Sequence, residues 1–242
     1  MTRKSFVFIF LLFFCWTTES GFTAPYESKV KKTDSEEIVL SESKLIYNNL
    51  KQNKSENLPS FEAFSLALKG FNNLKLIPGN IKKDILTIVD FSLSSCEKRF
   101  WVIDMKQNKV LFNDLVAHGK NSGSNFAKKF SNIPNTNMSS LGFYVTGKTY
   151  LGKHGLSLYL NGMDREFNAN ARERCIVMHG AEYVSQDFIK KYGRLGRSLG
   201  CPSLSMAIYK DVIQTIQDGS CLFIYYPDKQ FLAKSPTLHP RI

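Results

Sequence analysis

Between Leu86 and Tyr226 the chain falls into short runs rich in Val, Ile, Phe and Trp, separated by polar and glycine-bearing turns. The runs are Leu86–Phe91, Arg99–Asp104, Val110–Ala117, Gly142–Thr146, Ser157–Leu160, Arg174–His179 and Cys221–Tyr226. Their β-branched and aromatic side chains suit a pleated, half-buried surface, and each run is too short to carry a helical stripe. They predict strands, and therefore a mainly β domain. Gln107 and Asn108 fit a hairpin tip between the second and third runs. One helix is expected in this half, from Ser205 to Asp218, where Ile208, Val212 and Ile216 recur at helical spacing and Gly219 stands as the stop. The interval from His118 to Ser140 is long and polar, the kind of loop on a β scaffold that carries binding groups.

Ahead of the strands the apolar period is helical. Asp34 caps a segment with Glu36 and Glu37 in its first turn and Ile38, Val39, Leu45, Ile46 and Leu50 at helical spacing. A second helix follows Pro59 and Ser60, with Phe61, Phe64, Leu68 and Phe71 on one stripe. These two form a helical extension over residues 34–80 that rests on the β domain, residues 86–227. Residues 21–33 read as a flexible lead-in and residues 228–242 as a tail, loose from Ser235 onward.

At the very start, Arg3 and Lys4 precede an apolar run from Phe6 to Trp16, followed by Thr18, Glu19 and Ser20. That is the layout of a secretory signal peptide over residues 1–20. The run is well short of the roughly 20 apolar residues that a membrane-crossing helix needs, so no transmembrane span is expected in the mature chain. Cleavage removes two basic residues and one acidic one, so the formal charge of +11 falls to +10. For an exported, strongly basic protein, anionic wall polymer or lipid is a more reasonable partner than nucleic acid, and a solvated basic surface with no dedicated partner is the other reading. Cys96, Cys175, Cys201 and Cys221 remain after cleavage, and no CxxC pair signals a zinc or redox site. Their disulfide state and the oligomeric state of the chain are open at this level.

The residues that carry chemistry lie in two short stretches. His179 ends the Arg174–His179 run directly before Gly180, with Tyr183 close behind, and Cys201 follows Gly200 ahead of Pro202. A thiol with an ordinary pKa of about 8.5 needs a base or a positive field to react at neutral pH. His179 is the histidine nearest to Cys201 in sequence. Cys201 as nucleophile and His179 as base is one reading; a disulfide half or small apolar residue, and a strand-end histidine, is the other. Cys175 shares a strand face with Val177 and His179 by the period of two, which allows a place near the site, although interior packing is the first reading.

His179-Gly180 followed by Ser198-Leu199-Gly200-Cys201 resembles the signature of the YkuD-type L,D-transpeptidases. The likeness is closer to one subgroup, the murein L,D-transpeptidase catalytic domain proteins. It extends over Ala117-His118-Gly119, Ser140 to Gly147, Gly152 to Leu156, Asn170 to Arg174 and Gly193 to Ser198. The resemblance implies a β-sandwich-like catalytic domain acting on peptidoglycan stem peptides, with no metal or organic cofactor. It implies that Cys201 attacks the carbonyl of the third residue of a tetrapeptide stem, releasing D-alanine. The thioester then passes to an amine of another stem, or to water. Ser198 and Gly200 would shape the nucleophile turn, and the N–H groups there would hold an oxyanion. Arg197 and Arg194 would receive stem carboxylates. Gly180, Tyr183, His118 and His154 would line the substrate cleft; a metal site built from His118, His154 and His179 lacks ligand spacing. Many YkuD-type enzymes carry a histidine where this chain has Leu199 and an arginine where it has Ser203. The missing arginine leaves the contact to the substrate carboxylate open. Two other readings stand beside the transpeptidase: an L,D-carboxypeptidase that delivers the same thioester to water, and an envelope protein that binds wall peptides without turnover.

Overall fold

The computed structural model describes residues 26–53 and 57–240, with side chains from Glu37 onward. The expected signal peptide lies outside the described residues. The chain divides into two units, Met1–Glu37 and Ile38–Ile242. Of the first, only the opening of helix α1 (Tyr26–Gln52) is described, and it begins inside the segment expected to be a lead-in.

Nine strands build the second unit: β1 (Ile85–Asp90), β2 (Phe100–Asp104), β3 (Lys109–Asp114), β4 (Val116–Ala117), β5 (Gly142–Gly152), β6 (Gly155–Gly162), β7 (Val177–Gly180), β8 (Ser203–Leu204) and β9 (Cys221–Tyr225). They join in one sheet of order β3-β2-β1-β9-β5-β6-β7-β8-β4. β3 and β4 are its opposite edges, yet only Leu115 separates them along the chain. One residue spans no more than about 3.6 Å, so the sheet has to roll until its edges meet. Arg99, just before β2, fastens that meeting point: its Nε and Nη2 donate to the Val116 carbonyl at 3.2 and 2.9 Å. The sandwich-like body is thus a single sheet turned back on itself. β1 and β9 pair in parallel at its centre and are buried along nearly their whole length, as strands covered on both faces are.

The helical extension shares its core with the sheet. Helix α2 (Phe61–Lys75) is capped by Ser60, whose hydroxyl accepts from Ala63 N at 3.2 Å. It buries Phe64, Leu68, Phe71 and Leu74 in the same cluster as Ile88, Phe143 and Phe223. Gly70 lets it approach closely, because a Cβ there would lie 2.1 Å from the Phe143 ring. On α1 the inward stripe is Val39, Ser43, Ile46, Tyr47 and Leu50, whereas Ile38 and Leu45 are exposed, so two of the five expected apolar contacts are not made. Ser43 occupies its place by donating to Val39 O and accepting from Ser65.

Three differences from the sequence reading have local causes. Helix α4 (Tyr209–Ile216) starts later than Ser205: Ser205 follows directly on β8, donates its hydroxyl to Asp114 at 2.7 Å, and is joined to the helix by a turn in which Ile208 N and Tyr209 N reach its carbonyl. Two short helices were not expected, α3 (Gln186–Tyr192) and α5 (Lys229–Lys234); neither is long enough to show a period, and each is set by a cap, Ser185 and Asp228. The segment after Ser235 is not loose. Asp164, fully buried, accepts from Phe143 N at 2.7 Å, Ser235 Oγ at 2.6 Å and Thr237 N at 3.2 Å, and Leu238 is packed into the core. Replacing Asp164 with Ala strands three donors in the interior. At about 1–3 kcal/mol for a buried unpaired group, urea unfolding is expected to register a loss of about 3 kcal/mol or more, and a loss below about 0.5 kcal/mol would contradict this tie.

Candidate active site

β7 and β8 run parallel with His179 opposite Ser203 and Gly180 opposite Leu204. Cys201 lies two residues before Ser203 and therefore falls beside Val177, whose backbone N–H donates to Cys201 Sγ at 3.5 Å. The sulfur's other polar contact is the Cys175 carbonyl at 3.6 Å. Cys201 is half-buried, and all four described cysteines are free thiols. The turn that presents it is tightly specified. Gly200 has φ +132°, and a Cβ there would lie 2.6 Å from Ile176 Cδ1 and 2.9 Å from the Met138 carbonyl. Ser198 braces the same turn, accepting from Gly200 N at 3.0 Å and donating to Cys201 O at 2.7 Å. Ser139 donates to Gly200 O from across the long loop. The N–H of Gly200 is therefore engaged by Ser198 and is not open to an oxyanion.

His179 is buried, and its ring is fixed at both nitrogens. Nδ1 lies 2.9 Å from the Gly180 carbonyl, which can only accept, so Nδ1 carries the proton and Nε2 the lone pair. Nε2 meets Ser203 Oγ at 3.1 Å, and Ser203 Oγ meets Tyr183 Oη at 3.1 Å. The imidazole is not among the sulfur's hydrogen-bond partners; thiol and imidazole instead line one cleft of about 610 Å³. His154, at the tip of the β5–β6 hairpin, stacks on His179 with ring centroids 4.3 Å apart. Burial pushes the His179 pKa down, with His154 and Lys153 adding to that and the Gly180 carbonyl opposing it. Burial pushes the Cys201 thiol up, opposed in part by the Val177 N–H and the Arg174 and Lys153 charges. Both groups are thus held toward their neutral forms.

The remaining sequence-derived residues divide. Tyr183, Arg197, His154 and Ser198 line the cleft. Gly180 lines nothing; it supplies its carbonyl to His179, and a Cβ there would strike the Tyr209 ring at 2.7 Å. Arg194 does not reach the cleft, and its Nη1 donates to Leu195 O at 2.7 Å. His118 does not reach it either. It is fully buried beneath the loop, where its Nδ1 accepts from Arg99 Nη2 at 2.8 Å, so His118, His154 and His179 do not converge. Its neighbour Gly119 packs against Gly200, within 3.0 Å of its Cα for a notional Cβ, so the Ala117-His118-Gly119 motif supports the Cys201 turn from behind.

Lys153, Tyr150, Arg174 and Cys175 are among the cleft residues that were given no site role from sequence. Lys153 belongs to a motif already noted, on the hairpin tip, and Tyr150 precedes it. Arg174, also in such a motif, lies at the cleft while its guanidinium holds the long loop through Ser131 O, Met138 O and Ser140 Oγ. Cys175 corrects the packing expectation. Strand β7 begins only at Val177, and Cys175 sits before it at φ +53°, exposed at the cleft's edge.

Fold and site together define a class: a β domain that presents a free thiol and an imidazole in one open cleft, the group composition of cysteine-based acyl transfer. The model of the L,D-transpeptidase catalytic domain matches residues 55–225, and the chain belongs to that family. Among curated proteins no relative is found. Solved structures similar to it include an L,D-transpeptidase from Mycobacterium smegmatis, at 13% identity over 59% of each chain with a TM-score of 0.37. One from Stackebrandtia nassauensis has 17% identity over 68% of each chain and a TM-score of 0.34. The helical cell shape determining protein Pgp2 of Campylobacter jejuni has 16% identity over 66% of this chain and 57% of its own, with a TM-score of 0.38. The chain therefore spans less than two thirds of the first and third of these.

Burial, and next the Arg99 charge, push the His118 pKa down from 6.5 to about 4. The unfolded chain then binds a proton before the folded one does, so this contribution to stability is intact above pH 6.5 and is lost as pH falls toward 4. Unfolding measured at pH 7 and pH 5 is expected to differ by about 2 kcal/mol from this group. His118→Gln, which keeps an acceptor for Arg99, is expected to lessen the difference; an unchanged difference would contradict the assignment.

Proposed function

We propose that this chain is an exported cysteine acyltransferase that acts on peptidoglycan tetrapeptide stems, with Cys201 as nucleophile and His179 as base. The observation that carries the reading is the unbridged Cys201 thiol, presented by a glycine turn into a cleft that also holds a tautomer-fixed His179. No helix among the described residues is long and apolar enough to cross a membrane.

In this mechanism the Cys201 proton passes to His179 Nε2 and the sulfur attacks the carbonyl of the third stem residue. The Cys201 N–H is the remaining donor of the turn for the oxyanion, given that Gly200 N–H serves Ser198. Collapse breaks the C–N bond, and the imidazolium returns the proton to the departing D-alanine amine. The thioester is resolved by the side-chain amine of a second stem, giving a 3-to-3 crosslink. Lys153 and Arg197 at the cleft supply positive charge for stem carboxylates, which takes the place of the arginine missing at Ser203.

Two measurements test this. Intact mass after incubation with a carbapenem, an acylating mimic of the stem terminus, is expected to show one adduct on wild type and none on Cys201→Ala; an adduct on both would reassign the nucleophile, and none on either would leave a binding protein. With tetrapeptide stems, crosslinked dimers support transfer, and tripeptides alone would make the protein an L,D-carboxypeptidase. The pH dependence has a definite sign. The imidazole, held below its usual value, is already neutral near pH 7, whereas the thiol, held above its own, is still protonated. Acylation is therefore expected to keep rising with pH through and beyond the neutral range; a rate that falls above neutrality would contradict these environments.

A further inference from the structure

The basic nitrogen of the proposed reaction lines the cleft but is already engaged by a hydroxyl. Nδ1 of His179 is committed to the Gly180 carbonyl, so the only basic lone pair is on Nε2, and Ser203 Oγ sits 3.1 Å from it. Cys201 Sγ, meanwhile, has its polar contacts at Val177 N and Cys175 O. No hydrogen bond joins the sulfur to His179 or to Tyr183 in the resting protein, and the lone pair that must receive its proton already faces the Ser203 hydroxyl. Ser203 is itself fully buried on β8 and has one further partner, Tyr183 Oη at 3.1 Å. Tyr183 lines the same cleft as Cys201. A serine and a tyrosine hydroxyl each both donate and accept, and each can reverse its orientation without moving its heavy atoms.

We propose that Tyr183 and Ser203 form a hydroxyl relay through which the proton of Cys201 reaches His179 Nε2 and later returns to the leaving amine. The inference rests on the acyltransferase reading above and adds two residues to it. In the forward direction the thiol turns from the Cys175 carbonyl toward Tyr183 across the cleft that both line, the Cys201 S–H bond breaks and its proton passes to Tyr183 Oη. The Tyr183 proton passes to Ser203 Oγ, and the Ser203 proton to Nε2. Each hydroxyl loses one proton and gains one, so both end neutral with their hydrogen bonds reversed, and the net result is a thiolate and an imidazolium. When the tetrahedral intermediate collapses, the same chain runs backward and delivers one proton to the amine. No electron transfer or further reactant enters. The buried seat of Ser203 suits this role, because a hydroxyl shielded from bulk water keeps its two partners and a single path. Its register on β8 opposite His179 places it there by backbone pairing.

The test is the rate of carbapenem acylation at Cys201 in wild type, Ser203→Ala, Ser203→Thr and Tyr183→Phe, read by mass and divided into initial binding and chemical step. Loss of proton transfer of this kind costs about 100-fold, so Ser203→Ala is expected to slow the chemical step by about that factor with initial binding unchanged. Ser203→Thr, which keeps the hydroxyl, is expected to restore most of the rate, and Tyr183→Phe to slow it as well. The wild-type solvent isotope effect is expected to show a curved proton inventory, the mark of several protons in flight, that becomes linear in Ser203→Ala. A folded Ser203→Ala protein acylated within about twofold of wild type would overturn the relay while leaving the nucleophile in place; so would a Ser203→Thr protein as slow as Ser203→Ala. Absence of an adduct on wild type would overturn the parent reading and the relay with it.

Discussion

The site depends on one piece of backbone pairing, the parallel register of β7 with β8. Pairing His179 with Ser203 sets Cys201 one step back along the ladder, at Val177, where a strand N–H reaches its sulfur. Because successive strand residues alternate faces, His179, Ser203 and Cys201 keep their mutual arrangement only at this register; a slip of one residue would turn the thiol to the other face. The rest of the structure acts to protect that alignment. β6 pairs β7 on one side, β4 pairs β8 on the other, and the Arg99 clamp holds β4 against the opposite edge of the rolled sheet.

Behind Cys201, a second layer of polar groups fixes the turn. Ser198, Ser139 and Gly119 hold Gly200 in a conformation that a side chain would disrupt. His118 and Arg99, both fully buried, anchor the loop above it. On the proposed mechanism neither charge has to be maintained in the resting protein, since burial holds thiol and imidazole toward their neutral forms and an ion pair forms only as the proton moves.

Much of the fold was legible because it rests on local pattern. The strand runs carried β-branched and aromatic side chains, and all seven coincide with observed strands, with shifts at their ends. What was not legible is set by tertiary contact. Val110–Ala117 read as one strand, yet it is two, on opposite edges, because Leu115 turns the chain where the sheet closes. Ser235 and Leu238 looked like tail residues, and only the distant Asp164 makes them part of the core. At the site, the sequence motifs led to Cys201, His179 and Ser198, and the structure sets all three along one cleft. The place of His118 was not, since a histidine before a glycine looks alike whether it faces a cleft or a buried arginine. Ser203 was noted only as a departure from the family pattern; its contact with Nε2 comes from pairing between strands 24 residues apart.

On the proposed mechanism His179 is the base for Cys201 although no hydrogen bond joins the two in the resting protein. That role is tested most directly by the rate of carbapenem acylation at Cys201 in wild type and His179→Ala at pH 7, with alkylation of the exposed Cys175 followed in the same samples as a control for fold. The account expects Cys201 acylation to slow by about 100-fold or more while Cys175 labelling is unchanged. Equal acylation rates in the two proteins would contradict it.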